Sequence, residues 1–84
     1  MERTPKTVTR VQTGIRLERS ILKVLKAIAT DKDMKLGDLL EGILLHAYEG
    51  KQVFTNETLA TVADAKRLYG CDLSADDSHW LSEQ

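Results

Sequence analysis

Arg10, Gln12 and Arg16 fall on alternate positions of TRVQTGIRL, residues 9–17. An Arg side chain can donate two hydrogen bonds to guanine O6 and N7, and a Gln side chain can exchange two with adenine N6 and N7. These types on one edge are therefore chemistry suited to the major groove of DNA. With a period of two, Arg10, Gln12, Gly14 and Arg16 line one face, and Val11, Thr13, Ile15 and Leu17 line the other. Gly14 offers no side chain to a base; its contribution to such a face would be a close approach to the groove floor. The competing reading of the same row is a solvated polar face on a segment used only for dimerisation.

Other reactive types do not form a constellation. Cys71, Asp76, Asp77 and His79 match no zinc spacing and supply too few strong ligands, so they read as a solvated tail. His46 falls on a predicted helix without a partner nearby in sequence, which suits a satisfied histidine better than a catalytic one. The chain has no glycine-rich phosphate loop, no nucleophile motif and no paired carboxylates on a scaffold large enough to enclose a pocket. No enzyme activity, metal or cofactor is expected.

The 84 residues make one small domain at most, with 42% hydrophobic and 30% charged residues. No apolar run approaches the roughly 20 residues a membrane helix needs, and MERTPKTVTR lacks the apolar core of a secretion signal. The single Cys71 forms no intramolecular disulfide, so a cytoplasmic location is expected. The net charge of −1 conceals a division: residues 1–35 carry nine Lys/Arg against four Asp/Glu, a net +5, whereas residues 36–84 carry three against nine, a net −6. A dimer would double the basic half, which is the footprint expected for a polyanion partner.

The elements that would position these residues follow from periodicity. Residues 1–8 are polar, contain the only proline and have no period, and read as a flexible arm; Arg3 and Lys6 either touch phosphate or have no role. Residues 9–17 predict a strand. A lone strand leaves its N–H and C=O groups unpaired, and no second strand is found, so the expected partner is the same strand of a second copy, antiparallel about a two-fold axis. Ile21, Leu22, Val24, Leu25, Ile28 and Ala29 predict a helix from Glu18 to about Thr30. Leu36, Leu39, Leu40, Ile43, Leu44 and Ala47 predict another from Leu36 to Tyr48, ended by Gly50; Leu45 lies off that stripe, and a helix so apolar is expected to be buried between neighbours. Asn56 reads as the N-cap of a third helix, Glu57 to Tyr69, with Leu59, Val62, Ala63, Leu68 and Tyr69 available for packing and Gly70 as its stop. An acidic, turn-like tail follows.

Three features together, V-x-T-x-I-R-L at Val11 to Leu17, the helix from Glu18, and KLGDLLEGIL at Lys35 to Leu44 after a short connection, resemble the ribbon-helix-helix (MetJ/Arc/CopG-like) DNA-binding proteins. The resemblance covers about half the chain. It implies a mainly α ribbon-helix-helix fold: one N-terminal strand paired antiparallel across an intertwined homodimer, here over residues 9–50, with residues 51–84 as an extra C-terminal helix and acidic tail. It further implies that the ribbon enters the major groove, with Arg10, Gln12, Gly14 and Arg16 at the bases, and that the start of the second helix, Lys35, Leu36 and Gly37, clamps a phosphate. Two positions depart from the pattern. Gly14 stands where the family usually has an outward side chain, and Lys35 stands where many members have Ser or Thr. Lys35 cannot cap through an oxygen, so it is either a phosphate contact beside the helix amides or a solvated turn residue.

The expected function is a sequence-specific DNA-binding homodimer, a transcriptional repressor acting on double-stranded DNA by occluding a promoter. The alternative is a protein-interaction module, or an antitoxin, whose residues 51–84 bind a partner protein.

Overall fold

Three helices of thirteen residues each make up the body: α1 (Arg19–Asp31), α2 (Leu36–Tyr48) and α3 (Asn56–Leu68), followed by one 3₁₀ turn, Ala75–Asp77. They are seen in a computed structural model that describes residues 3–84. α1 is the shared element, packing against both α2 and α3. Its apolar stripe explains this, because Val24, Ile28 and Ala29 are all buried, spaced to form one face of a 3.6-residue repeat. Leu39 of α2, Ala65 of α3 and Cys71 beyond α3 complete the buried cluster. Leu25, Leu36, Ile43, Phe54, Val62 and Leu73 pack around it half-buried.

All three helices end in the same device. The amides of Gly50, Gly70 and Asp33 bond back to Ala47, Arg67 and Thr30, and those of Lys51, Cys71 and Met34 reach His46, Lys66 and Ala29. This double closure needs a left-handed residue at its centre. Gly50 and Gly70 adopt it at φ +67° and +68°, without side-chain cost. Asp33 adopts it at φ 55° and is the one of the three closing residues that is not glycine. Cys71, the residue after Gly70, is carried by this turn into the core.

The helix starts differ. At α1, the Glu18 carboxylate accepts from the amides of Ser20 and Ile21 at 2.9 and 3.1 Å. At α3 the N-cap is Thr55, one residue before the expected Asn56; its Oγ1 accepts from the Thr58 amide at 3.2 Å. The face of α3 turned inward is Thr58, Val62 and Ala65, whereas Leu59, Leu68 and Tyr69, expected to pack, are exposed. Thr58 is the buried polar residue, and its hydroxyl accepts from Lys32 Nζ at 3.0 Å, tying the end of α1 to the start of α3.

The expected strand and its ribbon are corrected by the structure. Among the described residues there is no β-strand, and no backbone hydrogen bond joins residues 3–17 to another segment. A strand is made by ladder bonds to a neighbouring backbone, and the three helices have closed their own bonds internally, so none of them can supply that ladder. The architecture is three helices, not ribbon-helix-helix. In consequence Val11, Ile15 and Leu17, expected on a buried underside, are 80%, 67% and 42% exposed. α2 likewise is not enclosed on all sides: Leu39 is buried, but Leu44, Leu45 and Tyr48 face outward.

Candidate nucleic-acid interface

The candidate base-contacting residues lie in the N-terminal segment, and all four of Arg10, Gln12, Gly14 and Arg16 are exposed. They are positioned by side chains rather than by a backbone ladder. Arg10 uses its planar fork on α2: Nε donates to Glu41 Oε2 and Nη2 to Glu41 Oε1, both at 2.9 Å. Asp38 Oδ1 stands 3.8 Å from the same Nη2. The hydrogen bonds from Arg10 hold the Glu41 carboxyl below its ordinary range, and Glu41 in turn raises the Arg10 guanidinium, with Asp38 adding to it.

Arg10 is thereby brought beside the first turns of α2, where the candidate phosphate contacts Lys35, Leu36 and Gly37 lie. Lys35 is the N-cap in an extended conformation, φ −71° and ψ 147°, and makes no side-chain cap bond. Among the described residues no side chain caps the first amides of α2, in contrast to those of α1 and α3. Lys35 and Gly37 are exposed and Leu36 is half-buried against the core. A cation beside unfilled helix amides is a favourable setting for an anion, although Asp38 in the same turn places one carboxylate there already.

Arg16 is held elsewhere. Its guanidinium pairs with Glu83 near the C-terminus, and Leu81, Ser82 and Glu83 form one wall of a cleft whose other wall is Arg16, Leu17 and Glu18. Among the described residues Gln12 has no side-chain hydrogen-bond partner and a Cβ added at Gly14 would meet nothing within 4 Å, so no described contact requires a glycine there. Of the four base-contact candidates and three phosphate-contact candidates, then, Arg10 joins the α2 start and Arg16 joins the tail.

No family model matches this sequence, and no curated protein or solved structure shows significant similarity to it.

The acidic partners are the residues that sequence reasoning missed. Glu41 and Asp38 are 31 and 28 positions from Arg10, and Glu83 is 67 from Arg16. Only the overall division into a basic half and an acidic half pointed to such pairing. His46 donates from Nδ1 to the Gly42 carbonyl at 2.7 Å, an ordinary bond to the preceding turn. No group of three or more His, Cys, Asp or Glu among the described residues is arranged to hold a metal ion. No described helix is long and apolar enough to cross a membrane.

Proposed function

We propose that the chain binds double-stranded DNA as a homodimer and acts as a transcriptional repressor. The observation that carries this reading is the exposed N-terminal segment, in which Arg10 and Arg16 sit at the surface in solvent-exposed ion pairs and Gln12 is exposed, beside a helix start that carries Lys35 without a side-chain cap bond. The net +5 of residues 1–35 supports a polyanion partner, since lysines and arginines gain affinity by releasing the counterions condensed on DNA. Dimerisation is supported by uncovered apolar side chains in two places, Val11 and Ile15 in the segment and Leu44, Leu45 and Tyr48 on α2. Arg10 bridges these two places through Glu41, which lies on α2 one turn from Leu44 and Leu45.

Gel shift on random-sequence duplex at low salt, followed by selection of the bound fraction, tests the proposal. Enrichment of a palindromic or repeated site supports a repressor dimer. Absence of any shift at low salt refutes it.

A second reading is favoured by one specific observation: Leu68, Trp80 and Leu81 of the C-terminal extension are 75%, 84% and 53% exposed. Such residues are typical anchors of protein interfaces, so this reading makes the extension the working surface, in an interaction module or antitoxin. The gel shift separates the two, because an interaction module gives no selected site.

A further inference from the structure

We infer that Glu41 and Glu83 occupy Arg10 and Arg16 in the unbound chain as intramolecular stand-ins for nucleic acid, so that DNA must displace both carboxylates to engage the N-terminal segment. The inference rests on the proposed DNA reading of those two arginines and adds its regulation.

The geometry at Arg10 is a fork on a carboxylate, two parallel N–H···O bonds of 2.9 Å each. The same edge of the guanidinium would grip a phosphate or the O6 and N7 of guanine. The Nε/Nη2 edge of Arg10 cannot grip Glu41 and DNA at once, so DNA that takes this edge must displace the carboxylate. Arg16 is engaged by Glu83 through a single contact, from Nη2 to Oε2. The two pairs fall near the two ends of residues 9–17, one fastening the segment to α2 and the other to the C-terminal tail.

The tail is placed to do this by contacts of its own. Cys71 is buried, Lys66 Nζ donates to the Leu73 carbonyl at 2.6 Å, and Asp77 accepts from the Ser74 amide at 2.8 Å to close the turn before Trp80. From that turn the chain runs to Leu81, Ser82 and Glu83 against Arg16, Leu17 and Glu18. Residues 71–84 contain Asp72, Asp76, Asp77 and Glu83 and no Lys or Arg, so the whole segment is repelled by phosphate once displaced. All four paired side chains remain substantially solvent-exposed, the Arg16 and Glu83 side chains at 83% and 66%. Exposed pairs of this kind are weak and screened by salt, so the contacts work as a reversible latch and not as a structural tie.

The test measures binding of the full-length chain to a random-sequence duplex at low and high salt, for wild type, Glu41→Gln and Glu83→Gln. Each variant is repeated in a background where its own arginine is Gln, Arg10→Gln or Arg16→Gln. The latch predicts that each single glutamate change tightens binding by about two- to five-fold at low salt. The gain shrinks at high salt and disappears when the paired arginine is absent. It also predicts that the Nε resonance of Arg10 in the free protein shifts in Glu41→Gln and shifts again on adding DNA to wild type, as one acceptor is exchanged for another. If wild type and variants bind alike, the latch is wrong and the DNA reading stands. A gain that persists without the paired arginine reflects bulk charge and also overturns the latch. If no variant binds even at low salt, the DNA reading fails and the latch fails with it.

Discussion

Ile28 and Ile15 are the same side chain thirteen residues apart, yet one is 3% exposed and the other 67%. Ile28 sits on a helix whose backbone bonds are satisfied within the segment, so the only thing left to find is a face to pack against, and α2 and α3 supply it. Ile15 sits where the backbone has no internal partner and the chain has nothing left to lay over it. Apolar spacing thus reports a demand for cover in both regions, but only the helical region can meet it from one chain. The two regions also use charge differently: the body closes on apolar contacts, whereas the N-terminal segment is placed by Arg10 and Arg16 on distant carboxylates.

The contrast is tested most severely by cutting at the two isoleucines. Ile28→Ala removes buried methylenes from the centre of the cluster and is expected to cost about 2–5 kcal/mol, a large part of the stability of a small domain. Urea denaturation followed by circular dichroism measures it. Ile15→Asp, by contrast, is expected to leave the helical signal and its urea midpoint at high dilution unchanged and to act only on association, seen by sedimentation at rising concentration. Equal loss of helix in both variants would mean that the segment is part of the folding core.

Smaller effects sharpen the boundary of the body. Thr58→Val deletes the buried hydroxyl that accepts from Lys32 and Thr55, and is expected to cost about 1 kcal/mol in the same assay. Asp33→Gly should stabilise the chain by a few tenths to about 1 kcal/mol, since glycine takes the left-handed closing position of α1 without side-chain strain. Asp33→Ala should move the midpoint the other way.

The smallest expected effect is a pH dependence at the junction of the two regions. The Ser20 hydroxyl and then the Ile21 amide lower the Glu18 carboxyl from its ordinary value, as Arg10 does for Glu41. A carboxyl depressed in the folded state adds stability that is fully present above its unfolded pKa and is lost as pH falls through the folded one. Helicity and melting temperature should therefore decline as the solution is taken from neutral into and below the usual glutamate range, and Glu18→Gln should flatten part of that decline. A melting temperature that rises on acidification through this range contradicts the assignment of Glu18 as the cap.

What is legible in the sequence follows the same physical division. α2 spans Leu36–Tyr48 as its periodicity and Gly50 indicate, and α1 and α3 lie within one residue of their expected bounds, because caps and apolar stripes are local signals. The cap of α3 is Thr55 and not the expected Asn56 because both types can cap and only the Thr58 amide decides between them. Leu59 and Leu68 have the apolarity to pack, but the inward face is set by Thr58 and Ala65, a choice made by the position of α1. The strand expected at residues 9–17 follows from alternation alone, which describes side chains and says nothing of where the ladder partner is. The partners in Arg10–Glu41 and Arg16–Glu83 are not legible beyond the division into a basic and an acidic half, since pairs so far apart in sequence exist only once the fold brings them together.

The most direct measurement is the ratio of affinities for a selected DNA site and for scrambled DNA, taken over a salt series for wild type, Gln12→Ala, Arg16→Ala and Lys35→Ala. DNA reading by the N-terminal segment predicts that Gln12→Ala and Arg16→Ala lower the ratio by roughly tenfold or more and relax preference at one position of each half-site. Lys35→Ala should keep the ratio and weaken both affinities, flattening the slope of log affinity on log salt by about one unit for each phosphate that Lys35 no longer neutralises. Unchanged ratios in both Gln12→Ala and Arg16→Ala would contradict a reading role for the segment and move the working surface to the C-terminal extension.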